Sequence, residues 1–201
     1  MTVPERLTSA ASLSERALLA SAVLPALPAS PPSAAPPLSV VAPALRSSLQ
    51  PQTLDRAGIA ARIPHSGSMC LLDRLESWTA DAIHCTATSH ADADNPLRTA
   101  SGLMAPNAIE YAAQAMALHG GLLATEGELP SAGFLASARN VRLTVARLDD
   151  IAGALQVRAQ RLSGDMRQVL YEFRVTDANG ALLADGRAVV VLNTPLPAIS
   201  Q

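Results

Sequence analysis

The chain has 201 residues and a formal net charge of −2, enough length for one domain with a substantial core. The near-neutral charge and an aromatic content of 2% supply neither the basic footprint nor the stacking platform of a nucleic-acid binder. No apolar run reaches the roughly 18–20 residues that cross a bilayer. All 15 basic residues are Arg, which, with the abundance of Ala, reads as mutational bias. Cys70 and Cys85 match no zinc or disulfide spacing and read as buried, reduced thiols of a cytoplasmic chain.

Residues 1–50 form an Ala/Pro-rich arm, with eight of the 15 prolines at or before Pro43. Such proline density breaks regular elements, so disorder is expected there, apart from a short helix over 12–23. The stretch "RALLASAVLPALPAS" loosely imitates a signal peptide, but Pro25 interrupts its apolar run and Glu5 and Glu15 precede it. The folded domain is expected over 51–195, with a tail at 196–201.

A short helix is predicted within 52–63, stopped before Pro64. Two strands follow, over 71–79 and 82–89, joined by a turn at Ala80 and Asp81. A polar loop leads to a helix over 105–121, stopped by Gly120 and Gly121. Four extended runs are predicted over 133–145, 155–163, 168–176 and 181–192. Asp177-Ala178-Asn179-Gly180 is a hairpin turn, since Asn-Gly tolerates the positive φ angles such turns use. Apolar and polar residues alternate in "LQVRAQRL" and "VLYEFRV", the mark of a sheet with one wet face. One apolar helix against an antiparallel sheet is an α+β arrangement.

The 105–121 helix is Ala-rich and apolar almost all round, which predicts burial. Glu110 and Gln114 stand one turn apart on one face of it. A buried carboxyl is held toward its protonated form, which suits acid/base chemistry. The competing reading is a capping box, with Asn107 as cap and Glu110 reaching back three residues to its amide.

Three segments carry a resemblance. "IPHSGSMCLLDRL", "IEYAAQAM" and "GFLASARNVRLTV" resemble the opening, the central helix and the following strand of bacterial 3-hydroxyacyl-acyl-carrier-protein dehydratases. "NPLR" and "HGGL" resemble the diverged branch found in aryl polyene and related pigment clusters. The resemblance runs from about residue 63 to 192. It implies a hotdog fold, a curved antiparallel sheet wrapped around one central buried helix. It also implies elimination of water from a 3-hydroxyacyl thioester to give a trans-2-enoyl thioester, in polyene, polyketide or fatty-acid synthesis. The substrate would arrive on the phosphopantetheine of an acyl carrier protein, with no metal or organic cofactor, at the interface of a homodimer or of a heterodimer with another hotdog subunit.

Under that resemblance Glu110 matches the family acid, and Gln114 the amide that holds it. Asn107, Gln114 and the backbone amides at the helix start would position the thioester. The family's histidine, in a Gly-His-Phe-Pro segment, stands fourteen residues before its acid; here that position is Pro96. His90 and His65 are the remaining candidates for the base, while His119 lies about 13 Å along the helix from Glu110 at 1.5 Å per residue. Arg139, Arg142 and Arg147 are either a solvated edge or a dock for an acidic carrier protein. A hotdog thioesterase, and a subunit that only completes a partner's site, are the competing functions.

Overall fold

The computed structural model describes residues 51–124, 133–165 and 167–192. The arm over 1–50, its helix over 12–23 and the tail at 196–201 lie outside the described residues. Among the described residues seven strands form one antiparallel sheet. They are β1 (Leu54–Asp55), β2 (Arg74–Trp78), β3 (Ala82–Ala87), β4 (Gly133–Leu143), β5 (Leu155–Gly164), β6 (Gln168–Thr176) and β7 (Leu182–Leu192), in the spatial order β1-β2-β3-β5-β6-β7-β4. Helix α1 (Arg56–Ala60) follows β1, and helix α2 (Ala108–Leu123) stands between β3 and β4 in sequence. The sheet curves around α2, which is the hotdog architecture the resemblance implied.

The alternation in the sequence decides which face packs on α2. Leu155, Val157 and Ala159 of β5 and Val169, Tyr171, Phe173 and Val175 of β6 point inward and are buried. They meet Ala108, Tyr111, Ala112, Ala115, Leu118 and Leu122 of α2 in one core. Small residues on the helix let the sheet close tightly over it.

Several boundaries differ from expectation for physical reasons. The segment read as a helix within 52–63 first pairs Leu54 and Asp55 with β2, and Asp55 then caps α1 by accepting from the Gly58 amide at 2.8 Å. The strand expected from Leu71 begins at Arg74, because the Leu71 amide is bound to Gln114 instead of to a neighbouring strand. Gly120 and Gly121 do not stop α2, which runs to Leu123. Gly121 serves close approach: a β-carbon there would stand 3.2 Å from the Arg62 carbonyl oxygen. The 177–180 turn forms, but only Gly180 takes a positive φ, of 87°. Asp177 Oδ1 secures that turn by accepting from the Asn179 and Ala181 amides.

Candidate active site

Glu110 sits in the first turn of α2. The entry to that helix is a 3₁₀ turn over Ala105–Asn107 containing Pro106. This turn takes up the amides that would otherwise be free. Ala105 N–H donates to the Ala146 carbonyl, Asn107 N–H to Met104 and Ala108 N–H to Ala105. The capping box of the competing reading therefore does not form, and the helix start presents no open amides among these residues. The Asn107 side chain makes no capping bond either.

Glu110 is instead held by side chains. Gln114 Nε2 donates to Glu110 Oε1 at 3.0 Å, and His65 Nε2 lies 3.2 Å from the same oxygen. Gln114 is completely buried. Its Oε1 accepts from the Leu71 amide at 2.9 Å and its Nε2 also donates to the Met69 carbonyl at 2.8 Å. One amide thus ties the acid to the 69–71 segment. His65 reaches the site from the turn after Pro64. Its Nδ1 is buried without a hydrogen-bond partner among the described residues.

The burial expected of Glu110 is not present in the single chain, where its side chain is 31% exposed. The sheet covers one side of α2. Ile109, Glu110, Ala113, Ala117 and Gly121 lie along the half-exposed side.

His90 does not join Glu110. It is buried on the 3₁₀ turn Ser89–Ala91, and its Nε2–H donates to the Ile151 carbonyl at 3.1 Å. Pro96, at the position of the family's histidine, lines a small cavity of about 260 Å³ with Asp92, Asp94 and Ser68. His119 is buried as well: its Nε2 faces the Thr79 carbonyl and its Nδ1 the Tyr171 hydroxyl, both at 2.9 Å. Burial lowers its pKa. Among the described residues, His65 is the one imidazole brought to Glu110.

The three arginines separate. Arg142 is bound to Asp185 by bonds of 3.2 and 2.6 Å, and Arg147 to Asp149 by bonds of 3.0 and 2.6 Å. Arg147 also lies in the loop after β4, off the face that carries Arg139 and Arg142. Arg139 and Arg142 thus share a face that Arg147 does not. Burial raises the thiol pKa of Cys70, and that of Cys85 to about 12, so both sulfurs behave as apolar core groups.

The profile of the ApeP-like family, described as ApeP dehydratase, matches residues 57–199. The chain belongs to the ApeP-like dehydratase family. A solved structure of the dehydratase heterocomplex ApeI:P from Xenorhabdus doucetiae is similar to this ApeP-like chain at 25% identity and a TM-score of 0.61, covering 68% of this chain and 91% of that one. Thioesterases from Pseudomonas aeruginosa and Haemophilus influenzae each match at 14% identity and a TM-score of 0.52. They cover 72% and 76% of this chain, and 97% and 99% of theirs, and share its fold. Comparison with curated proteins finds no significant match.

The ApeP-like chain also holds residues that sequence reasoning missed. Asp149, whose side chain is 1% exposed, receives Arg98 at 2.7 Å as well as Arg147. The Arg147 hydrogen bonds hold its carboxyl down at about 2. The Leu148 amide donates to the Leu103 carbonyl beside this cluster. Together these bonds fasten the loop that delivers the start of α2. Gly102 is required there: its φ is 95° and a β-carbon would lie 2.4 Å from Arg147 Nη2. A second network joins Asn95 Nδ2, the Ser89 carbonyl and the Tyr111 hydroxyl, which in turn meets Ser89 Oγ. Ser89 Oγ–H donates to the Leu71 carbonyl, so the Tyr111 hydroxyl donates to Ser89. Asn95 and Arg98 of the "NPLR" motif were the available signal for both networks.

Proposed function

We propose that this ApeP-like chain is the acid-bearing subunit of a dehydratase that eliminates water from 3-hydroxyacyl thioesters carried on the phosphopantetheine of an acyl carrier protein. The observation that carries this reading is Glu110 held from one side by Gln114 and His65. Both contacts fall on Oε1, which leaves Oε2 for a substrate hydroxyl. In the elimination a base removes the proton from the α-carbon. Its electron pair forms the Cα=Cβ bond while the Cβ–O bond breaks. The hydroxyl leaves as water once Glu110 protonates it, and the N–H groups of Gln114 and His65 stabilise the carboxylate that results. Asn107, one turn before Glu110 with its carboxamide uncommitted to capping, holds the thioester carbonyl.

The base comes from a partner hotdog subunit. His65 has one nitrogen on Glu110 and the other buried, so it positions the acid. Pro96 leaves the usual histidine position without an imidazole. The similar structure is itself described as a heterocomplex. Among the described residues β4 ends the sheet, pairing only with β7, and exposes Leu135 and Leu143, while Met104 is exposed beside the helix entry. An eleven-residue edge with apolar side chains invites another strand. A cytoplasmic setting fits the two unpaired thiols. Covering the half-exposed side of α2 would also complete the desolvation of Glu110.

A second reading keeps both groups in one chain, with His65 as the base. The 3.2 Å separation from Glu110 favours it. Intact-mass detection of water loss from a 3-hydroxyacyl carrier protein tests both. The chain alone should leave the substrate intact, and addition of a hotdog subunit carrying a Gly-His-Phe-Pro segment should restore dehydration. Loss of water with the chain alone would select His65. Release of free carrier thiol would instead identify a thioesterase.

A further inference from the structure

The side of the sheet facing away from α2 gathers positive charge. The strand register sets His84 opposite Arg158, Arg158 opposite Arg174, Arg174 opposite Asp185, and Asp185 opposite Arg142. In the adjoining row Glu172 stands opposite Arg187, and Arg187 opposite Arg139. Over β5, β6, β7 and β4 five arginines thus share this face with two carboxylates, a net of +3 in a chain of net charge −2. Asp185 is already gripped by Arg142, and Glu172 reaches only Arg187, at 3.6 Å. Arg158, Arg174 and Arg139 make no ion pair among the described residues. Like charges directly opposite on neighbouring strands destabilise a sheet, and this sheet carries two such pairs.

The backbone contributes to the gathering. Residues three apart on a regular strand point to opposite faces. A bulge between Arg139 and Arg142, with Asn140 at φ 52°, sets them opposite Arg187 and Asp185, two residues apart, so both share one face. An open groove of about 930 Å³ runs between Arg158, Arg174, Arg187 and Arg142.

We propose that this face docks an acidic helix of a protein partner. From β5 to β4 the arginines span three strand spacings, roughly 14 Å at about 4.8 Å each. That is the length of about ten helical residues at 1.5 Å apiece, room for carboxylates at i, i+4 and i+7. A lone phosphate would occupy Arg158 and Arg174 and leave Arg139 and Arg187 unused. The face lies across the sheet from Glu110, so the proposal does not depend on the acid/base reading.

The test is fluorescence anisotropy with a labelled, Ala-based helical peptide carrying Glu at i, i+4 and i+7. Binding should weaken as salt rises, and Arg158→Gln/Arg174→Gln should weaken it at least tenfold. That double variant should melt no lower than the parent, because it removes a like-charge opposition. Arg62→Gln, on another surface, should bind as the parent does. Equal binding by the double variant, equal binding of a Gln-substituted peptide, or complete displacement of the peptide by stoichiometric inorganic pyrophosphate would overturn the proposal.

Discussion

Gln114 and Glu110, one turn apart on α2, share a 3.0 Å hydrogen bond whose donor amide is completely buried and also bound to the backbone at Met69 and Leu71. The acid is therefore anchored through a group that cannot move without opening the core. Gln114→Ala leaves the buried Leu71 amide and the part-buried Met69 carbonyl unpaired, a cost of about 2–6 kcal/mol for two such groups. Urea denaturation should show a lower midpoint at an unchanged slope. Glu110→Gln should leave that midpoint near the parent value.

The Asp149 cluster secures the helix entry from the opposite side. Asp149→Asn should speed amide exchange at Leu148 and Ala105, whose N–H groups donate to the Leu103 and Ala146 carbonyls. The Asp149 carboxyl titrates near 2 in the folded chain against an ordinary value of 3.8. Its contribution is thus complete above about pH 4 and fades as pH falls toward 2. Gly102→Ala, at φ 95° and against Arg147, should destabilise by at least about 1–2 kcal/mol. Exchange mass spectrometry and thermal melts measure the two effects.

His119 makes stability depend on pH in a different window. Burial lowers its pKa from 6.5, so the unfolded chain binds a proton there more readily than the folded one. Stability contributed by the neutral ring is complete above pH 6.5 and declines as pH drops below it. The melting temperature of the parent should fall more steeply from pH 7 to 5 than that of His119→Gln. Parallel slopes would mean that the ring charges without disturbing its bonds to Tyr171 and Thr79.

The β4 edge carries the partner in this account. Leu135 and Leu143 are each 39% exposed there. Leu135→Lys/Leu143→Glu should leave the monomer's melting temperature within a degree or two and abolish association with a hotdog partner, as read by light scattering. Undiminished association would place the partner elsewhere.

The fold was legible because local patterns agreed with one another. The alternation in β5 and β6, the Asn179-Gly180 turn and the Ala-rich helix each pointed to a sheet over one helix. Glu110 and Gln114 were legible as a pair because helical spacing alone puts them side by side. The exposure of Glu110 was not, since helix composition does not say how far a sheet wraps. The capping box failed because Pro106 drew Asn107 into a 3₁₀ turn that used its amide. The choice between His65 and His90 depended on where two loops fold back, and Asp149 on a pairing between distant segments. Neither leaves a periodic trace.

The decisive measurement is water loss from a 3-hydroxyacyl carrier protein by the complex of this chain with a hotdog subunit that supplies the histidine. The parent complex should dehydrate the substrate. Glu110→Gln in this chain should slow it about 10²- to 10⁴-fold without dissociating the complex. An equally fast Glu110→Gln complex would contradict the account, because the acid would then lie outside this chain.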